Sequence, residues 1–327
     1  MTIATVGLDI AKQVFQVHAA DSEERAVLRK RLQRDQVADF FANLPPCLIG
    51  VEACCGSHYW TRVLSRFGHT VRLIAPQFVK PYVKSNKNDA NDAEAICEAV
   101  SRPQMRFVST KSIEQQDIQS VHRVRSRLVS SRTQLASQVR GLLAEYGIVL
   151  PQGISQLCRG LPLILENAEN ELTGFSWRLF ASLYEELAQL DSKIEALDEQ
   201  VKAIYRASER CQRVAAVEGI GPLIATALVA AVSDGKSFKN GRQFAAWLGL
   251  VPREHSTGWK ARLFGISKRG DPYLRTLLIH GARSVWCIAR AARLTRATVG
   301  LPTSSADWVR RKPAWRWPTR MHVLCGR

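Results

Sequence analysis

The hydrophobic period of this chain changes once, near Pro103, and that change limits the fold more than any other feature of the sequence. Before it, residues 3–10, 14–19 and 26–32 alternate apolar and polar side chains, as half-buried strands of an antiparallel meander do. A helical pattern around Val37, Phe40 and Phe41 stops near Pro45 and Pro46. An apolar strand at residues 47–51 ends at Glu52, a helix follows over 57–67, and a strand at 70–74 is closed by Pro76. Three strands followed by alternating helices and strands predict an α/β layer structure, with carboxylates at the strand ends where the sheet opens to solvent.

Beyond Pro103 the period becomes helical. Val121, Val124, Leu128, Leu135, Val139 and Leu142 recur at helical spacing over residues 118–146, with Arg123, Arg125, Arg127, Arg132 and Arg140 between them, and residues 147–151 break the pattern. A heptad-like run then passes through Leu179, Leu183, Leu187, Leu190, Ile194, Leu197, Val201 and Ile204. Such a seam suits either a dimer-forming coiled coil or one side of a bundle closed by the same chain. Val217-Glu218-Gly219-Ile220-Gly221-Pro222 lies between helical segments, and the segment after it, residues 223–232, is apolar. Two glycines around an isoleucine make a tight hairpin, either a helix-hairpin-helix whose amides reach a phosphate backbone or an ordinary bundle turn.

Charge narrows the partners. The 327 residues hold 46 Lys and Arg against 29 Asp and Glu, a net charge of +17, which suits a polyanion better than a small neutral substrate. No run of about 18 apolar residues offers to span a bilayer. The N-terminus carries Asp9 in its apolar run and lacks a basic leader region, so a cytoplasmic protein is expected. The eight cysteines show no ligand spacing, which marks them as reduced packing residues.

Four carboxylates stand out against this background. Asp9 interrupts an apolar strand, Glu52 ends another, and Asp89 and Asp92, three apart, share a face if a helix starts there. Singly each has an ordinary reading, Asp89 as a helix cap or Glu52 as a solvated loop residue. Jointly they could hold one or two magnesium ions for phosphoryl transfer.

The ordered set Val6-Gly7-Leu8-Asp9-Ile10-Ala11-Lys12, Val51-Glu52-Ala53-Cys54, Lys87-Asn88-Asp89-Ala90-Asn91-Asp92-Ala93, Gly147-Ile148-Val149-Leu150-Pro151, the hairpin at 217–222, Phe244-Ala245-Ala246-Trp247-Leu248-Gly249-Leu250-Val251-Pro252 and Gly265-Ile266-Ser267-Lys268-Arg269-Gly270-Asp271-Pro272-Tyr273-Leu274-Arg275 resembles insertion-sequence transposases guided by a bridge RNA. These pair a Holliday-junction-resolvase-like domain of ribonuclease H type with a serine-bearing transposase domain. The resemblance covers roughly residues 4 to 285. It implies that Asp9, Glu52, Asp89 and Asp92 bind Mg2+, and that the nucleophile lies in His255-Ser256-Thr257-Gly258. Ser256 is the choice, and a one-residue shift would move the role to Thr257. Arg253, Lys260, Arg262, Lys268 and Arg269, with Arg123, Arg125, Arg127 and Arg132, are the expected phosphate contacts. DNA, a guide RNA and a homodimer or tetramer are the implied partners. Acids and serine are expected to meet in space, within one subunit or across a dimer. The competing readings are a junction nuclease that hydrolyses with water and a non-catalytic nucleic-acid-binding protein.

The expected plan is therefore α/β plus α. Residues 1–102 form a ribonuclease H-like mixed sheet with helices, 103–210 a basic helical and coiled-coil region, and 211–285 a mainly helical transposase domain with a helix-hairpin-helix-like motif. From 286 to 327 the text turns Arg-rich and Pro-interrupted, with Trp286, Trp308, Trp315 and Trp317, and reads either as a frame slip near Val285 or as a divergent basic tail.

Overall fold

Three strands open the computed structural model: β1 (Thr5–Ile10), β2 (Val14–Ala20) and β3 (Ala26–Gln33), each antiparallel to the one before. The structure describes residues 2–84, 88–232, 235–258 and 260–299, with the backbone alone at 236 and 291–299. After α1 (Gln36–Ala42), β4 (Leu48–Glu52) pairs parallel to β1. Past α2 (Ser57–Arg66), β5 (Thr70–Ile74) pairs parallel to β4. A short α3 (Pro76–Val79) leads to α4 (Asp89–Val100), and β6 (Phe107–Val108) closes the far edge antiparallel to β5. The sheet order is β3-β2-β1-β4-β5-β6, the ribonuclease H-like mixed sheet that the sequence predicts. The two-residue β6 carries this unit past residue 102, so that the chain divides between Ser112 and Ile113.

Helix α4 lies against the sheet because two strands lack side chains beneath it. A Cβ on Gly7 would stand 2.1 Å from the Ala93 carbonyl oxygen, and one on Gly50 would stand 2.7 Å from the Val100 Cβ. The first obstruction is backbone, which no rotamer change relieves. Gly7→Ala is therefore expected to cost about 3 kcal/mol or more by overpacking. Denaturant unfolding of the purified chain measures this, and an unchanged midpoint would contradict so close an approach.

The second unit begins with α5 (Ile113–Ala144) and continues through α6 (Ile154–Glu166) and α7 (Gly174–Ala207). The α5 seam differs from its sequence reading. His122, Leu128, Leu135, Ala136, Val139 and Leu143 are buried, whereas Val124 is 44% exposed. The heptad-like run of α7 is covered by α5 of the same chain. Leu187, Leu190 and Ile194 join Leu128, Leu135 and Val139 in one core, while Leu179 is exposed. Within this chain the seam thus forms one side of an intramolecular bundle.

Helices α8 (Glu209–Ala215), α9 (Pro222–Ala231), α10 (Gly241–Trp247) and α11 (Pro272–Val299) complete the unit, with a two-stranded sheet of β7 (Pro252–Glu254) and β8 (Leu263–Ile266). Buried His122 joins α5 to both α9 and α11. Its Nε2 lies 2.9 Å from the Thr226 hydroxyl, whose own proton goes to the Pro222 carbonyl, and its Nδ1 lies 3.0 Å from the Tyr273 hydroxyl. That network suits a neutral ring with Tyr273 donating to it, and burial lowers the imidazole pKa to about 4. Residues 113–210 of the region expected as 103–210 therefore belong to one unit with the C-terminal helices. Gly219, at φ +79°, turns the α8–α9 hairpin, and Gly281 of α11 comes so close that a Cβ there would stand 2.4 Å from the Gly219 carbonyl oxygen. Helix α11 runs unbroken through Val285, and residues 300–327 lie outside the described residues.

Candidate active site

Strand register places the first two acids side by side. Gly7 pairs with Gly50 and Leu8 with Val51, so the next positions along the parallel strands are Asp9 and Glu52. Side chains alternate along a strand, which puts Asp9 and Glu52 on the face that Gly7 and Gly50 present to α4. Helix α4 runs antiparallel to β1. The Cys97 Sγ donates to the Thr5 carbonyl at 3.8 Å, Ala93 covers Gly7, and the N-terminus of α4 reaches the level of Asp9. Asp89 and Asp92 occupy that first turn. The cap is Asn88, whose side chain accepts from the Asn91 amide at 2.8 Å, so neither aspartate is used as a cap.

The acids feel one another electrostatically. Burial, then the charges of Asp89, Asp92 and Glu52, push the Asp9 carboxyl up to about 6. Cys54 feels the same field. Its thiol is raised to about 11, by burial first and then by Asp9 and Glu52, and it donates to the Ile10 carbonyl at 3.7 Å. Glu94 is drawn elsewhere, to Arg29 at 3.2 Å and Lys84 at 3.7 Å. Among the described residues no three His, Cys, Asp or Glu side chains are drawn together closely enough to hold an ion. The donor set is all carboxylate oxygen, which fits a hard divalent cation.

In the second unit, residues 255–258 and 260–262 lie between β7 and β8, and Ser256 and Thr257 are both exposed there. The Ser256 hydroxyl donates to Glu254 Oε1 at 2.5 Å. Thr257 is held through its backbone, its carbonyl accepting from the Lys260 amide at 3.1 Å. The hairpin is anchored at its base. A Cβ on Gly249, at φ +72°, would stand 1.9 Å from the Arg269 carbonyl oxygen, and the Lys268 amide donates to the Gly249 carbonyl at 3.0 Å. Glu254 escaped the sequence reading, although alternation across 254 and 256 would have set the two side chains on one face of a strand.

The cations divide into two groups. Arg253, Lys260, Arg262 and Arg269 are exposed on or beside the hairpin, as is Lys268 at φ +54°. On α5, Arg123 and Arg127 are exposed. Arg125 and Arg132, expected at nucleic acid, are instead paired with Asp198 at 2.5 Å and Asp191 at 2.6 Å across α5 and α7. Charges two to nine residues apart on one helix look alike in sequence, and only the packed neighbour separates the paired from the exposed. Among the described residues no helix is long and apolar enough to cross a membrane. The described cysteines are all unpaired.

Comparison with known proteins gives this arrangement its context. Residues 6–148 match the transposase family DEDD_Tnp_IS110, and residues 211–297 match the family described as Transposase IS116/IS110/IS902. The chain is 56% identical over 286 residues to a Pseudomonas aeruginosa protein named "Probable family 20 transposase", covering 87% of this chain and 85% of that one. It is 47% identical to the transposase for insertion sequence element IS1111A of Coxiella burnetii, covering 99% and 92%. The transposase for insertion sequence element IS1328 of Yersinia enterocolitica is 42% identical, covering 86% and 83%. The second family match continues twelve residues past Val285, where the sequence reading puts a frame slip (297 − 285).

Proposed function

This chain belongs to the IS116/IS110/IS902 family of insertion-sequence transposases, and from that premise we propose that it cuts and rejoins DNA through a covalent seryl intermediate formed at Ser256. The family places it among DNA-recombining proteins, and its DEDD-type domain points to divalent-metal dependence. Mg2+ is the ion proposed here, held by Asp9, Glu52, Asp89 and Asp92. When bound it would neutralise charge on the phosphodiester oxygens.

The observation that carries the serine reading is the short hydrogen bond from Ser256 to Glu254. A serine hydroxyl is a weak nucleophile until a neighbour takes its proton. Glu254 is placed to accept that proton as Oγ attacks phosphorus. An ester bond forms between Ser256 and the phosphate, the bond to one deoxyribose oxygen breaks, and that oxygen leaves as a hydroxyl after taking up a proton. A free hydroxyl of a second strand then attacks the phosphoserine, re-forms a phosphodiester and returns the serine. The phosphate bond is conserved throughout, so no outside energy source is required. Exposed Arg253, Lys260 and Arg262 flank the loop as phosphate contacts. A guide RNA supplying sequence by base pairing, and a dimer or tetramer as the working assembly, are part of the same proposal.

Incubating the chain with its own element ends, RNA and Mg2+ is expected to yield DNA attached to protein, with the modified tryptic peptide mapping to Ser256. Cut DNA free of protein would favour hydrolysis by water. Neither cutting nor attachment would favour a non-catalytic binding protein.

A further inference from the structure

The same end of the first sheet carries a second opening that the acids do not use. It is a cavity of about 580 Å³ lined by Gln13, Gln33, Arg34, Asp35, Tyr59 and Trp60. Gln13 lies in the turn after β1, four residues past Asp9, and Tyr59 lies on α2, seven past Glu52. The strand ends that carry two of the acids thus lead directly into its walls.

We infer that this cavity binds one unpaired nucleobase of a nucleic-acid strand, with Tyr59 as the stacking platform. The inference rests on the reading of the chain as a nucleic-acid enzyme and adds a site to it. Tyr59 is 49% exposed, yet its ring is braced edge-on against Trp60 with centroids 5.3 Å apart. Trp60 is itself held edge-on against buried Phe15 at 5.1 Å. An exposed aromatic backed by two core rings loses little freedom when a base stacks on it. Arg34 lies 5.4 Å over the Trp60 ring and keeps an exposed guanidinium for the adjoining phosphate.

The polar groups suit a base edge. The Gln13 and Gln33 amides offer donors and acceptors, and Asp35, which makes no side-chain cap to α1, accepts from ring or exocyclic N–H groups. The rim is preformed, with the Arg34 amide donating to the Gln13 carbonyl at 2.9 Å. One feature of the wall is unexplained by folding. Trp60 is 4% exposed, and among the described residues its buried indole Nε1 has no acceptor.

The test uses the full chain in chelator with single-stranded oligonucleotides carrying 2-aminopurine, one series DNA and one RNA. Binding is expected to quench the fluorescence. Tyr59→Phe should keep affinity and quenching, and Tyr59→Ala should lose roughly 5- to 100-fold in affinity together with the quenching. Tyr59 is exposed, and a melting curve for each variant checks that it folds. Stronger quenching with DNA would assign the site to the strand being cut, and with RNA to a guide. Tyr59→Ala binding and quenching like the parent, or Tyr59→Phe failing equally, would overturn the inference. Quenching in chelator, together with no seryl adduct in the separate incubation with element ends, RNA and Mg2+, would refute the recombinase reading and leave the base site standing.

Discussion

The Asp9→Asn protein is expected to melt at a higher temperature than its parent in chelator at pH 7, while losing DNA cleavage by on the order of 10³-fold or more. Both effects follow from one carboxyl. Its pKa is raised to about 6 by burial and by Asp89, Asp92 and Glu52, well above its value in an unfolded chain. An acid raised in the folded state binds more protons there than when unfolded, so stability falls as pH rises from about 4 to about 6 and is level beyond. At neutral pH the ionised group costs about 2 kcal/mol, allowing for the part of the carboxyl that still meets water. Asparagine removes the charge at nearly constant shape. The gap between the two melting curves should therefore open between pH 4 and 6 and stay constant above. Added Mg2+ should raise the melting temperature of the parent and not that of the variant, since an ion bound only by the native state stabilises it. A variant that melts at or below the parent above pH 6 would mean that burial and the neighbouring acids do not raise this carboxyl.

Ser256→Ala should abolish covalent attachment and lower strand exchange by on the order of 10⁴- to 10⁶-fold, the scale seen when a nucleophile is removed from an intact site. Thr257→Ala, one residue away, should leave attachment close to normal, because Ser256 and not Thr257 has its hydroxyl on Glu254. Glu254→Gln keeps a hydrogen-bond acceptor but loses the basic carboxylate, and should slow attachment about 10²- to 10⁴-fold. Gel analysis of protein–DNA adducts reads all three. Adducts that persist in Ser256→Ala and vanish in Thr257→Ala would transfer the role to the threonine. A Glu254→Gln protein at full rate would leave its hydrogen bond a matter of loop structure alone.

Much of this was readable along the chain. Alternation over residues 3–32 gave the meander, apolar runs at 47–51 and 70–74 gave the next two strands, and Asp89 marked a helix start, because strand and helix periods are written within a dozen residues. The acids were readable for the same reason, since a charge inside an apolar strand needs an explanation wherever it folds. What the sequence could not show depends on distant partners. Arg125 meets Asp198 across 73 positions and Arg132 meets Asp191 across 59, pairs that no local pattern could reveal.

The sequence alone determined a mixed sheet ahead of basic helices and a charge of +17, and it singled out Asp9, Glu52, Asp89 and Asp92 as candidate ligands. Only the tertiary structure decided that the seam of α7 is consumed by α5, that two arginines are neutralised while others stay exposed, and that Glu254 stands against Ser256. The division has a physical cause. Backbone period and burial preference are local properties of the chain, whereas the state of a charge or a hydroxyl is set by whichever group packing brings within hydrogen-bonding distance.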